Sequence, residues 1–425
     1  MRLATCTALA ASLVALCALT VTACGRSGSS AAAAANASTA SDKTVAIYSS
    51  LPLQGPSAAE AVPVEKGIEL ALAQAGDRAG PFKVQYIPLD DSTGPVGWDP
   101  SQTAANAREA AADPRTVLYI GEFDDEASEV SMPILNEAGV PQIGPTNTDV
   151  GLTAAPAGGG SDASIPYAPT GTRTYVRIVP TDAVQAAADL FAMKQSGCQR
   201  VVLADDGEGY GTSMAKLLEA QRRDYGIDVV GNAPLDPDAP KFRQTVLAGN
   251  APRPDCVMLA GVASKATVEM TEDIYAVLPT ARIFAASGMC SSAWTNPRDG
   301  GVPASIGRLI ECTELTMPIS AYPGGKTFLA RYEGRYGVSN PSPYAILGYE
   351  AMSLGLSTIA NLGSNGDSKS AVRSALFATS DRTSVLGTYG FDRGGDTTLR
   401  TYGLYKVGPN GNPTFATTIT PPRVS

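Results

Sequence analysis

The chain has 425 residues, 32 basic against 41 acidic, for a formal net charge of −9, and it contains no histidine. Its length is about twice that of a usual domain of roughly 100–200 residues, which predicts two lobes. The missing histidine excludes Ser-His-Asp and Cys-His catalysis, histidine metal sites and a histidine pH switch, and an acidic chain without a lysine- or arginine-rich block offers no electrostatic footprint to nucleic acid.

Residues 1–24 carry Arg2 as a positive flank, an apolar stretch from Leu3 to Leu19, and small residues before Cys24. This is a secretory signal, too short and alanine-rich for a membrane span. Val21-Thr22-Ala23-Cys24, followed by Gly25, resembles the lipobox of bacterial lipoproteins. That resemblance implies removal of residues 1–23, a diacylglycerol on the Cys24 sulfur, and a place on the extracytoplasmic face of the cell membrane. Residues 24–42 then read as anchor and flexible Gly/Ser/Ala tether, with folded chain from Lys43.

From residue 44 short apolar runs alternate with amphipathic stretches. The first block predicts strands at 44–50, 82–90, 116–121 and 140–144, with helices near 60–76, 101–113 and 126–138. A Gly/Pro/Ser-rich surface loop spans 154–172. The second block predicts strands at 174–180, 200–206, 227–233, 256–261 and 281–287, with helices at 182–196, 210–225, 241–249 and 264–278. Such alternation predicts an α/β fold of two doubly wound parallel-sheet lobes. Ligands of these sheets lie beyond the strands' carboxyl ends, which places the natural site in the cleft between lobes.

With Cys6 and Cys17 lost with the signal and Cys24 the anchor, Cys198, Cys256, Cys290 and Cys312 remain. An even number in an oxidising compartment predicts disulfides. Of three connectivities, placement beside strands favours Cys198–Cys256 with Cys290–Cys312. A tetrathiolate metal site is the alternative, but no CxxC pair supports one. The reading contains no metal and no cofactor.

Three strings imitate catalytic motifs. Gly207-Glu208-Gly209-Tyr210-Gly211 lacks dinucleotide-fingerprint spacing and reads as a glycine-rich turn. Ser213-Met214-Ala215-Lys216 matches S-x-x-K, yet its companion motifs are missing, since Gly325-Lys326-Thr327-Phe328 has phenylalanine where KTG requires glycine. The pairs Asp90-Asp91 and Asp205-Asp206 read as caps of the turns after strands, whereas Asp124-Asp125 reads equally as cap or as binding chemistry.

Together, the motifs resemble the extracellular solute-binding lipoproteins of the leucine/isoleucine/valine-binding type, with the type I periplasmic-binding fold. Among its markers are Leu51-Pro52-Leu53-Gln54-Gly55-Pro56, Lys66-Gly67-Ile68-Glu69-Leu70-Ala71, Asp90-Asp91, Ile120-Gly121, Ala138-Gly139-Val140-Pro141, Gly144-Pro145-Thr146-Asn147-Thr148, Arg177-Ile178-Val179-Pro180-Thr181-Asp182, Tyr210-Gly211, Tyr344-Ala345 and Gly387-Thr388-Tyr389-Gly390-Phe391-Asp392. The resemblance implies three crossings near 179, 319 and 398, hence one lobe of 43–178 with 320–397 and another of 179–319 with 398–425. It implies a small polar solute, a branched-chain amino acid, another amino acid or an amide-like compound, captured in the interlobe cleft and delivered to the permease and ATPase subunits of an ABC importer, without catalysis. A ligand sensor signalling to a receptor is the alternative, and a serine hydrolase using Ser213 and Lys216 a remote one.

Family ligand contacts carry over onto Thr146, Asn147 and Thr148, onto Asp182, and onto the ring of Tyr210. Elsewhere the chain departs. Asp125, beside Asp124, stands where the family has a carboxylate-binding serine, unless Ser128 takes that role. Glu60 replaces a tryptophan, Val262 or Ala263 a tyrosine, and Ser287 an ammonium-binding glutamate. Asp124, Asp125 and Asp182 then imply a negative cleft for a cation, amide or polyol.

Overall fold

A computed structural model describes residues 43–94, 97–154, 166–234 and 253–423. The signal, Cys24, the tether, much of the 154–172 loop and the expected helix 241–249 lie outside the described residues. Among the described residues no helix is long and apolar enough to cross a membrane.

The first sheet holds β1 (Thr44–Leu51), β2 (Arg78–Ala79), β3 (Phe82–Asp90), β4 (Thr116–Ile120), β5 (Gln142–Gly144) and β6 (Tyr175–Arg177), in the order β2-β3-β1-β4-β5-β6. All pairs are parallel except the β2–β3 hairpin. β1 is buried on both faces, which is why it reads as a nearly continuous apolar run. Ala46 and Tyr48 face α2 (Pro100–Ala112) and α3 (Asp125–Glu137) in one cluster, while Val45 and Ile47 join α1 (Ala58–Gln74) in the other. α2 starts where Asp99 accepts from the Ser101 and Gln102 amides at 2.9 Å, with Pro100 at its first position.

After β6 the chain enters α4 (Asp182–Gln195) and builds a second sheet: β7 (Arg200–Asp205), β8 (Asp228–Asn232), β9 (Cys256–Ala260), β10 (Arg282–Ala285) and β11 (Ile310–Glu314). α5 (Gly209–Gln221) follows β7, and α6 (Lys265–Val277) follows β9. The chain then returns to the first core through α7 (Gly325–Tyr336), α8 (Ala345–Asn361) and α9 (Lys369–Phe377), passing a short β12–β13 hairpin (Arg382–Thr383, Thr388–Tyr389). Finally β14 (Tyr402–Val407) and β15 (Pro413–Ile419) complete the second sheet, ordered β15-β14-β11-β10-β9-β7-β8. These last strands pair antiparallel, a departure from the expected wholly parallel sheet. A short turn suffices for an antiparallel hairpin, whereas parallel strands need a crossover.

The cysteines pair Cys198 with Cys256, Cα atoms 5.8 Å apart, and Cys290 with Cys312, 5.6 Å apart, both inside the second lobe. Asp255 lies beside the first pair, but sulfurs bonded to each other are not metal ligands. The crossings are tied by Arg177, fully buried at the end of β6. It donates to Asp396 at 2.7 Å, to the Asp149 carbonyl at 2.6 Å and to Thr153 at 2.5 Å. The Tyr402 hydroxyl meets the Pro180 and Thr181 carbonyls at 3.3 and 3.2 Å.

Candidate functional site

At the carboxyl ends of β4 and β5 the first lobe presents Phe123-Asp124-Asp125 and Thr146-Asn147-Thr148. Asp125 opens α3 and accepts the Thr148 amide at 2.9 Å, while the Thr148 carbonyl accepts the Asp182 amide, also at 2.9 Å. The first lobe thus meets the second at the start of α4. Asp182 is 4 % exposed, and its Oδ1 has no hydrogen-bond partner.

Thr146 donates to the Phe123 carbonyl at 2.7 Å. Asn147 is used inside the lobe, its Oδ1 accepting from Ser128 at 3.1 Å and from Tyr175 at 2.9 Å. Ser128, the other candidate for the serine's role, is fully buried and also accepts the Glu122 amide at 3.2 Å. Neither of these two side chains has a free polar atom to offer a solute.

In the second lobe, Tyr210 and Ser287 lie 3.1 Å apart and both reach Gln185 Oε1, at 3.2 and 3.3 Å. Gln185 continues to Thr313, which donates to Asp189. The aligned Ser287 therefore positions a tyrosine instead of supplying a charge. Val262 is half-exposed beyond β9, its amide held by Asp206 at 2.8 Å. Lys216 of the S-x-x-K string is exposed on α5.

The two strand-end aspartate pairs differ. Asp205 accepts the Gly207 amide, and Asp206 accepts those of Glu208 and Val262. Asp90 likewise accepts the Leu53 and Ser92 amides and the Gln54 side chain. Asp91 departs from the expected cap: it is fully buried, and neither carboxyl oxygen has a geometric partner. Its neighbour Glu122, also fully buried, accepts the Tyr119 hydroxyl at 2.7 Å through one oxygen and leaves the other unpartnered.

Burial, reinforced by mutual repulsion, holds these acids high. Asp124 is pushed up to about 7 by burial, then by Asp91, Glu126 and Glu60. Asp125 reaches about 7 by burial and the Asp182 charge, and Asp182 about 6, mainly by burial. Glu314, at the end of β11, is raised to about 8 by burial and by Glu60. Beside them Phe123 packs on Tyr344, ring centroids 5.5 Å apart. Sequence reasoning missed Asp91 as a buried acid, Glu122, Phe123, Tyr344 and Glu314 as site residues. Ile310–Glu314 already carries Glu311 and Thr313, so no local signal sets Glu314 apart.

A family model described as "Periplasmic binding protein" matches residues 44–412. No curated protein matches the sequence. Among solved structures, a leucine-binding protein from Thermotoga maritima is 22 % identical, with a TM-score of 0.63 over 89 % of this chain and 99 % of that one. A Desulfitobacterium hafniense ABC transporter substrate-binding protein in complex with Leu is 17 % identical, with a TM-score of 0.67 over 88 % and 100 %. An R. palustris solute-binding protein in complex with benzoate is 16 % identical, with a TM-score of 0.62 over 89 % and 97 %.

Proposed function

The chain belongs to the periplasmic binding protein family, and on that premise we propose that it is a lipid-anchored receptor. It captures a small polar solute between its lobes and passes it to the permease and ATPase subunits of an ABC importer. The observation that carries this reading is the meeting of the Thr148 carbonyl with the Asp182 amide, where Asp125 and Tyr210 approach from opposite lobes. A solute held there touches both sides, and only such a solute shifts the balance between open and closed lobes. The lobes we assign are 43–178 with 320–397, and 179–319 with 398–425.

The test is thermal unfolding of the detergent-solubilised full chain against amino acids, amides, polyamines, sugars and carboxylates. Occupancy at a hundredfold excess over Kd adds about 2.7 kcal/mol, a clear rise in midpoint. A midpoint unmoved by every class argues against the reading. Anchoring through Cys24 is tested separately: Cys24→Ala should abolish lipid labelling and release the protein from the membrane.

A further inference from the structure

We propose that the solute is an organic cation without a carboxylate, an amine, guanidinium or quaternary ammonium, held between Asp125 and Asp182 and flanked by Tyr210, Phe123 and Tyr344. The inference rests on the receptor reading and specifies its ligand.

The first support is that the starts of α1, α3 and α4 and the Thr148 amide already carry the protein's own anions. A solute carboxylate would need free amides at a helix N-terminus. α1 carries Glu60 in its first turn, α3 carries Asp125 and Glu126, and α4 carries Asp182. These three helix starts thus each carry an anion, whereas α5 and α8 have none in their first turns. The Thr148 amide is occupied by Asp125 and is not open to a solute carboxylate.

The second support is a buried carboxyl oxygen without a partner. Asp182 is more than nine-tenths buried and its Oδ1 has no partner. Its charge acts on Asp125 from one lobe and on Tyr210 from the other, so the carboxylate lies within reach of the space between them. Burying an unpaired carboxylate is costly, and an ammonium or guanidinium donor is the complementary partner. Among the described residues the one fully buried cation, Arg177, is bound to Asp396, Thr153 and the Asp149 carbonyl. Phe123 packs on Tyr344, which lies within electrostatic reach of Asp124, and Tyr210 is within that of Asp182; aromatic surface near the acids suits an organic cation better than a hydrated metal ion.

Binding would also release protons. Asp125 is faced by Asp182, Asp149 and Arg177, and Asp182 by Asp149, Arg177, Thr148, Asp125 and Tyr210. Both are raised from the ordinary aspartate range, to about 7 and about 6. A cation between them lowers both values, so near pH 6–7 the carboxyls give up protons on binding.

The experiment is calorimetric titration and thermal unfolding of the full chain with putrescine, agmatine and choline, against leucine, benzoate and magnesium. Repeating the titration near pH 6.5 in buffers of differing ionisation enthalpy counts the protons released. The expected result is a raised midpoint and proton release with at least one cation. Affinity should fall roughly 10- to 100-fold in Asp182→Asn, and similarly in Asp125→Asn should the first variant fail to fold. A response to leucine or benzoate and none to the cations overturns the cation assignment but leaves the receptor standing. A response to magnesium alone overturns the organic assignment; silence from all six probes overturns the cation assignment, and the receptor reading falls only when the amides and sugars of the wider panel are silent too.

Discussion

Two aspartate pairs, written alike at the ends of two strands, have opposite fates in the two lobes. In the second lobe Asp205 and Asp206 accept three backbone amides and fasten the turns that lead into α5 and α6. In the first lobe Asp90 does comparable work, while Asp91 is shut away beside Glu122 without a partner. The helix starts are mixed in both lobes, since α2 of the first has its Asp99 cap and α4 and α5 of the second have no side-chain cap. α6 has a Ser264–Thr267 capping box, whereas Asp124 at the start of α3 makes no side-chain cap. Both disulfides also lie in the second lobe. Asp91 and Glu122 of the first lobe and Asp182 and Asp189 of the second each keep a buried carboxyl oxygen without a partner, so the contrast belongs to the strand-end pairs.

That contrast can be broken at several points. Reducing the disulfides removes loop-closure constraints of 58 and 22 residues, up to about 4 and 3 kcal/mol on the chain-entropy model. Cys198→Ser with Cys256→Ser should lower the unfolding midpoint, and hydrogen exchange should rise first around β7 and β9. Equal loosening of the first sheet would remove the asymmetry.

At the crossings, Asp396→Ala leaves Arg177 buried without its carboxylate and should cost about 3 kcal/mol, read by denaturant unfolding. A loss within experimental error would show that backbone carbonyls and Thr153 suffice.

The aspartates offer the sharpest contrast, because the same substitution should act in opposite directions. Asp206→Asn weakens two charge-assisted amide contacts and should destabilise by about 1–2 kcal/mol. Asp91→Asn removes an unpartnered charge and should stabilise by about 1–3 kcal/mol at pH 8. Burial, foremost, raises Asp91 above its ordinary value. The folded chain therefore holds that proton more tightly than the unfolded one. Stability from the site is complete below the ordinary aspartate range and declines as pH rises through the raised value. The benefit of Asp91→Asn should accordingly vanish near pH 3.

The smallest effect belongs to the caps: Ser264→Ala should cost about 1 kcal/mol, and Asp124→Ala nothing through capping.

Much of the architecture was legible because it follows from periodicity. β1, α1, β3 and α2 announce themselves through alternation, an N-cap and a following Pro. Spacing also shows that Asp91 ends a strand, but cannot show whether an amide awaits its carboxylate. Asp206 finds one from Val262, which arrives from β9. Tyr344 and Glu314 escaped for the same reason: their approach to Phe123 and Glu60 is made by chain crossings and has no local signature.

The crossing of α1 and α8 sets an order of events. Gly67 and Gly348 allow the helices to touch backbone to backbone, since a Cβ on Gly67 would overlap the Ala345 carbonyl and one on Gly348 that of Val64. β1 is the first strand synthesised, yet α8, which completes its cover, emerges only after the central strands of the second lobe. For most of translation the apolar face of β1 lacks that helix, so the nascent first lobe stays incomplete and sticky long after its sheet exists in sequence. Premature termination anywhere before Asn361 should therefore yield an aggregation-prone fragment instead of a free-standing half-receptor.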